Sequence, residues 1–261
     1  MRISVAATAP FGADVLEQLA ARHDVAALLT RPDSPAGRGR KLASPPAKLV
    51  AERLGIPVLQ PERPTAELEL PGDAVVVAAY GLLIPESLLA KGLWLNVHPS
   101  LLPRWRGAAP VERALLAGDR ETGVTIHQTV KELDAGPIAA QRAFLLTAED
   151  DAGTVYARSA ELAVELLDEV LPSPSFAPQE GEPTYAAKIE AADRELDLSR
   201  PEESLNRIRA LSPHIGARGE LDGRRLTFWK ARLADGRLVP VEVQPEGGKR
   251  MPYDAFLRGL R

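Results

Sequence analysis

The sequence predicts an α/β protein: a doubly wound, mostly parallel sheet followed by a smaller β-rich module. Three observations carry that prediction. Uninterrupted apolar runs at Ala74–Ala79 and Leu93–Val97 read as strands buried on both faces of a sheet. Segments with helical spacing alternate with strand-like runs through the first two thirds of the chain. Beyond a proline-rich stretch the texture changes to short strands bounded by Asp-Gly pairs, a hairpin signal.

In chain order, Arg2–Ala7 alternates weakly and opens as a strand. Ala13–Arg22 places Val15, Leu16 and Leu19 on one side of a helix, and Val25–Leu29 is a second strand. Arg31–Ser44 is polar and broken by Pro and Gly. It predicts a long loop without regular structure, and long loops in compact domains commonly serve function. Pro46–Leu54 reads as a short helix and Pro57–Leu59 as a short strand. Thr122–Gln128 and Gly136–Leu146 read as further strands, and Thr154–Leu171 is the longest helical pattern. Pro172, Pro174, Pro178 and Pro183 mark a linker over 172–189, between a large domain at 1–171 and a module at 190–261. That module holds a helix at Pro201–Leu211 and strands at Arg225–Leu233 and Leu238–Val243.

The length of 261 residues suits one large and one small domain. With no cysteine, disulfides, thiolate metal sites and a cysteine nucleophile are excluded. No apolar run approaches the ~20 residues of a membrane span, and Met1–Pro10 reads as a strand rather than a signal peptide. A cytoplasmic protein with no membrane partner is expected. The formal charge is −4, so a nucleic acid would need a local basic patch. Arg31, Arg38, Arg40 and Lys41 form one.

The turn after the first strand, Ala7-Thr8-Ala9-Pro10-Phe11-Gly12, lacks the spaced glycines of a dinucleotide site, and no Walker-type loop is present. NAD, FAD and ATP are therefore disfavoured. The chemistry-bearing candidates are Asn96, His98 and Asp134. Asn96 and His98 end an apolar strand and, two apart, share a face. Asp134 lies in the turn Leu133-Asp134-Ala135-Gly136-Pro137. An amide, an imidazole and a carboxylate suit acyl transfer: an oxyanion donor, a proton carrier near neutral pH, and a group that orients it. Taken singly, each also has a structural reading as a turn or core residue. His23, His127 and His214 read as structural, and no metal site is expected.

The segment Asn96-Val97-His98-Pro99-Ser100-Leu101-Leu102-Pro103-Arg104-Trp105-Arg106-Gly107-Ala108-Ala109-Pro110 resembles the signature of the 10-formyltetrahydrofolate-dependent formyltransferases. Glu121–Ile126, Leu133–Gly136, the 36-position spacing of His98 and Asp134, and Tyr80–Pro85 resemble the same family. The likeness is strong over 1–170 and weak after about 200. It implies a Rossmann-like sheet with a reduced C-terminal barrel of the oligonucleotide-binding (OB) type. It implies Asn96 at the oxyanion, His98 at the intermediate and Asp134 behind His98. Tyr80, Gly81, Leu82, Leu83 and Ile84, with Ser100, Leu101, Leu102 and Pro103, would bound the pterin of 10-formyltetrahydrofolate, the co-substrate. The loop Arg31–Leu42 resembles the tRNA-reading loop of the family's tRNA branch. This implies Arg38, Arg40 and Lys41 as contacts to methionyl initiator tRNA, and formyl transfer to its amino group. A monomer is expected. Pro99 follows His98 where that branch usually has Gly, and the C-terminal region is shorter than usual there. An amino-sugar nucleotide as acceptor, or a binding protein without catalysis, are the alternatives.

Overall fold

The computed structural model describes residues 1–36 and 41–260. In chain order the first part runs β1 (Arg2–Ala7), α1 (Pro10–Ala20), β2 (Asp24–Leu29), α2 (Pro46–Leu54), β3 (Val58–Leu59), β4 (Ala74–Ala78), α3 (Glu86–Leu89), β5 (Leu93–His98), α4 (Pro110–Ala117), β6 (Glu121–Gln128), β7 (Ile138–Leu145) and α5 (Ala152–Val170). It continues with α6 (Pro201–Leu211), β8 (Ala217–Leu221), β9 (Arg224–Ala234), β10 (Arg237–Pro245), β11 (Met251–Pro252) and α7 (Tyr253–Arg258). Among the described residues no helix is long and apolar enough to cross a membrane.

Seven strands form one sheet in the order β7-β6-β5-β4-β1-β2-β3. The run from β5 to β3 is parallel, and β6 turns back antiparallel to β5. The strand order reverses between β1 and β4, as in doubly wound sheets, which place ligands beyond the carboxyl ends of the strands. The apolar run at β4 is buried along its whole length. Val75, Val76 and Val77 are each at most 7% exposed, and burying a valine contributes on the order of 1.5–3 kcal/mol. α1 starts on the ends of β1 and β4. A Cβ at Gly12 would stand 2.2 Å from the Ala78 carbonyl oxygen, so only glycine permits that approach.

Two compact units emerge from the contacts. One comprises Met1–Arg106, Gly123–Ala143 and Ala157–Thr184; the other comprises Gly107–Thr122, Phe144–Tyr156 and the chain from Tyr185 onward. The second unit holds a separate antiparallel sheet, β8-β9-β10-β11. Its core is Ile208, Leu211, Ala217, Leu226, Phe228 and Val243. The Asp222-Gly223 and Asp235-Gly236 pairs take positive φ at both positions, as two-residue hairpin turns require.

The segment expected as an unstructured loop contains a ribbon, with Ser34–Ala36 antiparallel to Lys41–Ala43. Its base is tied by one carboxylate. Asp33 accepts from Lys48 Nζ at 2.8 Å, Gln60 Nε2 at 2.9 Å and Ser44 Oγ at 3.1 Å. These donors hold its carboxyl below the usual range, led by Lys48. No periodicity announces such a hub, because its members are spread over α2 and the end of β3.

Candidate active site

β5 ends on Asn96 and His98, and β6 pairs beside it with Asn96 opposite His127 and His98 opposite Thr125. Opposed residues of an antiparallel pair project from the same face. Asp134 arrives from the turn between β6 and β7 with φ 49°, a left-handed conformation that Asp tolerates. Two residues later a Cβ at Gly136 would stand 1.8 Å from the Gln128 carbonyl oxygen, so glycine is what lets the turn fold back onto β6. The carboxylate thereby reaches the block. Asp134 Oδ2 lies 3.6 Å from His98 Nδ1, and Oδ1 lies 3.7 Å from His127 Nε2. Asn96 Nδ2 donates to Oδ1 at 3.2 Å. The structure thus brings Asn96, His98 and Asp134 together and adds His127 to them.

Carbonyl partners fix both imidazoles. His98 Nε2 is 2.8 Å from the Trp105 carbonyl, which only accepts, so Nε2 carries the proton and the Nδ1 lone pair faces Asp134. His127 Nδ1 is 2.9 Å from the Gln128 carbonyl, so its Nε2 accepts from Asn96 Nδ2 at 2.9 Å. Both amide hydrogens of Asn96 are engaged. His98 is almost fully buried, and burial pushes its pKa below the ordinary histidine value. The Asp134 carboxylate and the Trp105 carbonyl pull upward, and His127 adds a smaller downward push. His98 is therefore a neutral base at neutral pH.

The loop after His98 is pinned. Thr125 Oγ1 donates to the Ser100 carbonyl at 2.7 Å and accepts from the Leu102 amide at 3.2 Å. Gln141 Nε2 reaches Thr125 Oγ1 at 2.8 Å and the Leu102 carbonyl at 2.9 Å. Ser100 is fully buried and its hydroxyl donates to the Arg104 carbonyl at 2.7 Å. Leu102 is buried, while Leu101 and Pro103 are half-buried.

In the segment 80–84, the Tyr80 side chain packs in the core with Ala6, Leu29 and Trp94. Its buried hydroxyl has no hydrogen-bond partner among the described residues, and burial pushes it up to about 12. Ile84 is buried, Leu82 half-buried, and Gly81 and Leu83 exposed. The main chain of Gly81–Leu83 makes no hydrogen bond to another described residue. Arg38 and Arg40 lie outside the described residues. Lys41 is exposed at the start of the ribbon's second strand.

The residue-level reading passed over His127 and Gln179. His127 carried a legible signal, since Thr125 and His127 share a face of an alternating strand just before the Asp134 turn. Gln179 carried none. It donates to the carbonyls of Asp134 and Gly136 at 2.8 and 2.9 Å from within the proline-rich stretch.

Residues 1–171 match the model of the Formyl transferase family. The chain belongs to this family. Among formyl transferases, the methionyl-tRNA formyltransferase of Paracoccus denitrificans is 39% identical over 292 aligned residues, covering all of this chain and 98% of that one. The protein of the same name from Nitrosospira multiformis is 38% identical, covering 99% of this chain and 96% of that one. Of solved formyl transferase folds, the methionyl-tRNA formyltransferase from Clostridium thermocellum superposes with a TM-score of 0.64 at 17% identity, covering 97% of this chain and 99% of that one. HypX from Aquifex aeolicus in complex with tetrahydrofolic acid gives a TM-score of 0.63 at 17% identity over 98% of this chain, which spans 46% of that longer protein. These two likenesses speak to the fold alone.

Proposed function

We propose that this formyl transferase moves the formyl group of 10-formyltetrahydrofolate to the free amino group of methionyl initiator tRNA. The observation that carries the reading is the Asn96–His98–Asp134 cluster at the carboxyl end of β5, in a chain matched across its length by relatives named methionyl-tRNA formyltransferase.

In this reading the amine nitrogen attacks the formyl carbon, a C–N bond forms, and the formyl oxygen becomes an oxyanion. Asn96 donates to that oxyanion, exchanging its longer contact, the 3.2 Å bond to Asp134. His98 takes the amine proton at Nδ1, where Asp134 offsets the charge. It returns that proton to N10 as the C–N10 bond breaks, leaving tetrahydrofolate and the formylated amine. One proton leaves the amine and one reaches N10, so no side-chain nucleophile is needed.

The uncommitted main chain of Gly81–Leu83 and the apolar surface of Leu82, Leu83, Leu101 and Pro103 suit a fused ring with a polar edge. They support the placement of the pterin between the 80–84 and 100–103 segments. Lys41, with Arg38 and Arg40 beside it in the sequence, supplies the cations that phosphate contacts require.

The test is transfer of labelled formyl from 10-formyltetrahydrofolate to methionyl initiator tRNA, with methionyl elongator tRNA as control. Label on the initiator alone is the expected result. Label on neither tRNA, with transfer to an amino-sugar nucleotide instead, would overturn the assigned acceptor.

A further inference from the structure

We propose that the segment 177–184 is a positioning strap that holds both halves of the catalytic cluster, with Gln179 and Thr184 as positioning residues; this rests on the formyl-transfer reading above. The family match ends at Leu171, so the strap lies outside the matched region, within the stretch that the sequence reads as a linker. All the bonds that follow lie inside the first unit.

Gln179 is committed at both ends of its amide. Oε1 receives Arg106 Nε at 3.1 Å and Nη2 at 2.6 Å. A guanidinium only donates, so the oxygen is fixed on that side and the nitrogen must point the other way. Its hydrogens go to the carbonyls of Asp134 and Gly136, which bracket the turn. Ala177 pairs with Ile138 in both directions, at 2.9 and 2.7 Å, and fixes the strap to the first residue of β7.

The far end grips the other half. Thr184 Oγ1 accepts the Trp105 amide at 2.9 Å. The Thr184 carbonyl accepts the Arg106 amide at 2.8 Å, and the Thr184 amide reaches the Pro103 carbonyl at 3.2 Å. Trp105 carries the carbonyl that receives His98 Nε2–H. One short strap therefore braces the turn bearing Asp134 and the loop that sets the tautomer of His98.

Asp134 and Trp105 have φ of 49° and 64°. Asp tolerates left-handed backbone, whereas at a bulky residue such as Trp105 it persists only where its surroundings over-determine it. A carboxylate held 3.6 Å from His98 by a turn loses its function if the turn relaxes by an ångström, a displacement that lowers rate by ~10²-fold.

The experiment combines kinetics with histidine NMR on the full chain. The four histidines give a sparse spectrum, and His98 is assigned by substitution. Gln179→Ala is expected to lower kcat by ~10- to 100-fold, with KM for 10-formyltetrahydrofolate within about twofold. His98 is expected to titrate at lower pH than in the parent, because Asp134 is what pulls its pKa upward. Gln179→Glu keeps the acceptor for Arg106, loses both donors, and is expected to match the alanine variant. Thr184→Ser keeps the acceptor oxygen and the rate, while Thr184→Val loses the rate. The serine and valine pair decides the matter if Gln179→Ala does not fold. Parental kcat and an unmoved His98 titration in Gln179→Ala overturn the strap. If the parent formylates no methionyl-tRNA, the acceptor assignment fails, and the His98 titration still decides the strap.

Discussion

Asn96 Nδ2 lies 2.9 Å from His127 Nε2 across the β5–β6 pair, and that contact decides which way the Asn96 amide faces. His127 Nδ1 donates to the Gln128 carbonyl, and in that tautomer Nε2 is the ring's acceptor. It selects the nitrogen end of the amide and turns it toward Asp134.

His127→Ala is therefore expected to lower kcat without a matching change in KM for the folate. The loss should not exceed that of removing one oxyanion donor, ~10²–10³-fold, because the amide remains and only its orientation is released. Steady-state rates of formyl transfer check this. A variant with the parental kcat would remove His127 from the site.

In the proposed mechanism His98→Ala removes the proton carrier, and the expected loss in kcat is ~10²–10⁴-fold. It also removes the hydrogen bond to the Trp105 carbonyl, a net contribution of about 0.5–1.5 kcal/mol. Circular dichroism should show a folded protein of reduced melting temperature. Near-parental turnover in that protein would exclude His98 as the proton carrier.

Burial lowers the His98 pKa from its ordinary ~6.5, so the acid limb of the kcat–pH profile is expected below that value. The unfolded chain binds the proton more readily than the folded one. The corresponding stability is thus complete above ~6.5 and is lost as pH falls toward the folded value. Asp134→Asn removes the carboxylate that pulls the pKa up, so its limb should move lower still while the rate drops. A limb that moves to higher pH in Asp134→Asn contradicts the assignment.

Gly136→Ala places a methyl 1.8 Å from the Gln128 carbonyl oxygen. The neighbour is main chain on β6 and has no rotamer to yield, so the turn must move. Destabilisation at the upper end of single substitutions, ~3–5 kcal/mol, is expected in urea unfolding, with loss of activity in whatever remains folded. An alanine variant of parental stability would show that the turn closes by another route.

Most of the sheet was legible in the sequence because strands buried on both faces leave uninterrupted apolar runs, as at β4 and β5. The Asp-Gly turns of β8–β10 were legible because two-residue hairpins demand those residues. Asn96, His98 and Asp134 stood out only as a set, through the long signature around them. What stayed hidden is what side chains do across long separations. Gln179 and Asp134 are 45 positions apart, and a glutamine between prolines looks like any polar linker residue. The ribbon within Arg31–Ser44 was hidden for the same reason: its stability comes from Lys48 and Gln60, beyond the segment itself.

That hub yields the last prediction. Asp33 and Ser44 flank the ribbon, and the Asp33 carboxylate joins them to each other and to Lys48 and Gln60. Asp33→Ala removes the acceptor common to all three donors and frees both ends of the ribbon, while Asn96, His98, His127 and Asp134 share none of these bonds. In the proposed reading the ribbon serves the tRNA and not the folate. KM for methionyl initiator tRNA should therefore rise by about tenfold, the equivalent of ~1.4 kcal/mol, with KM for 10-formyltetrahydrofolate unchanged. Lys41→Ala should weaken tRNA binding more at low salt than at high salt, since a lost phosphate contact reduces the salt slope by about one. Equal losses toward tRNA and folate in Asp33→Ala would mean that the hub supports the sheet's carboxyl edge as a whole, and that the ribbon has no acceptor-specific part.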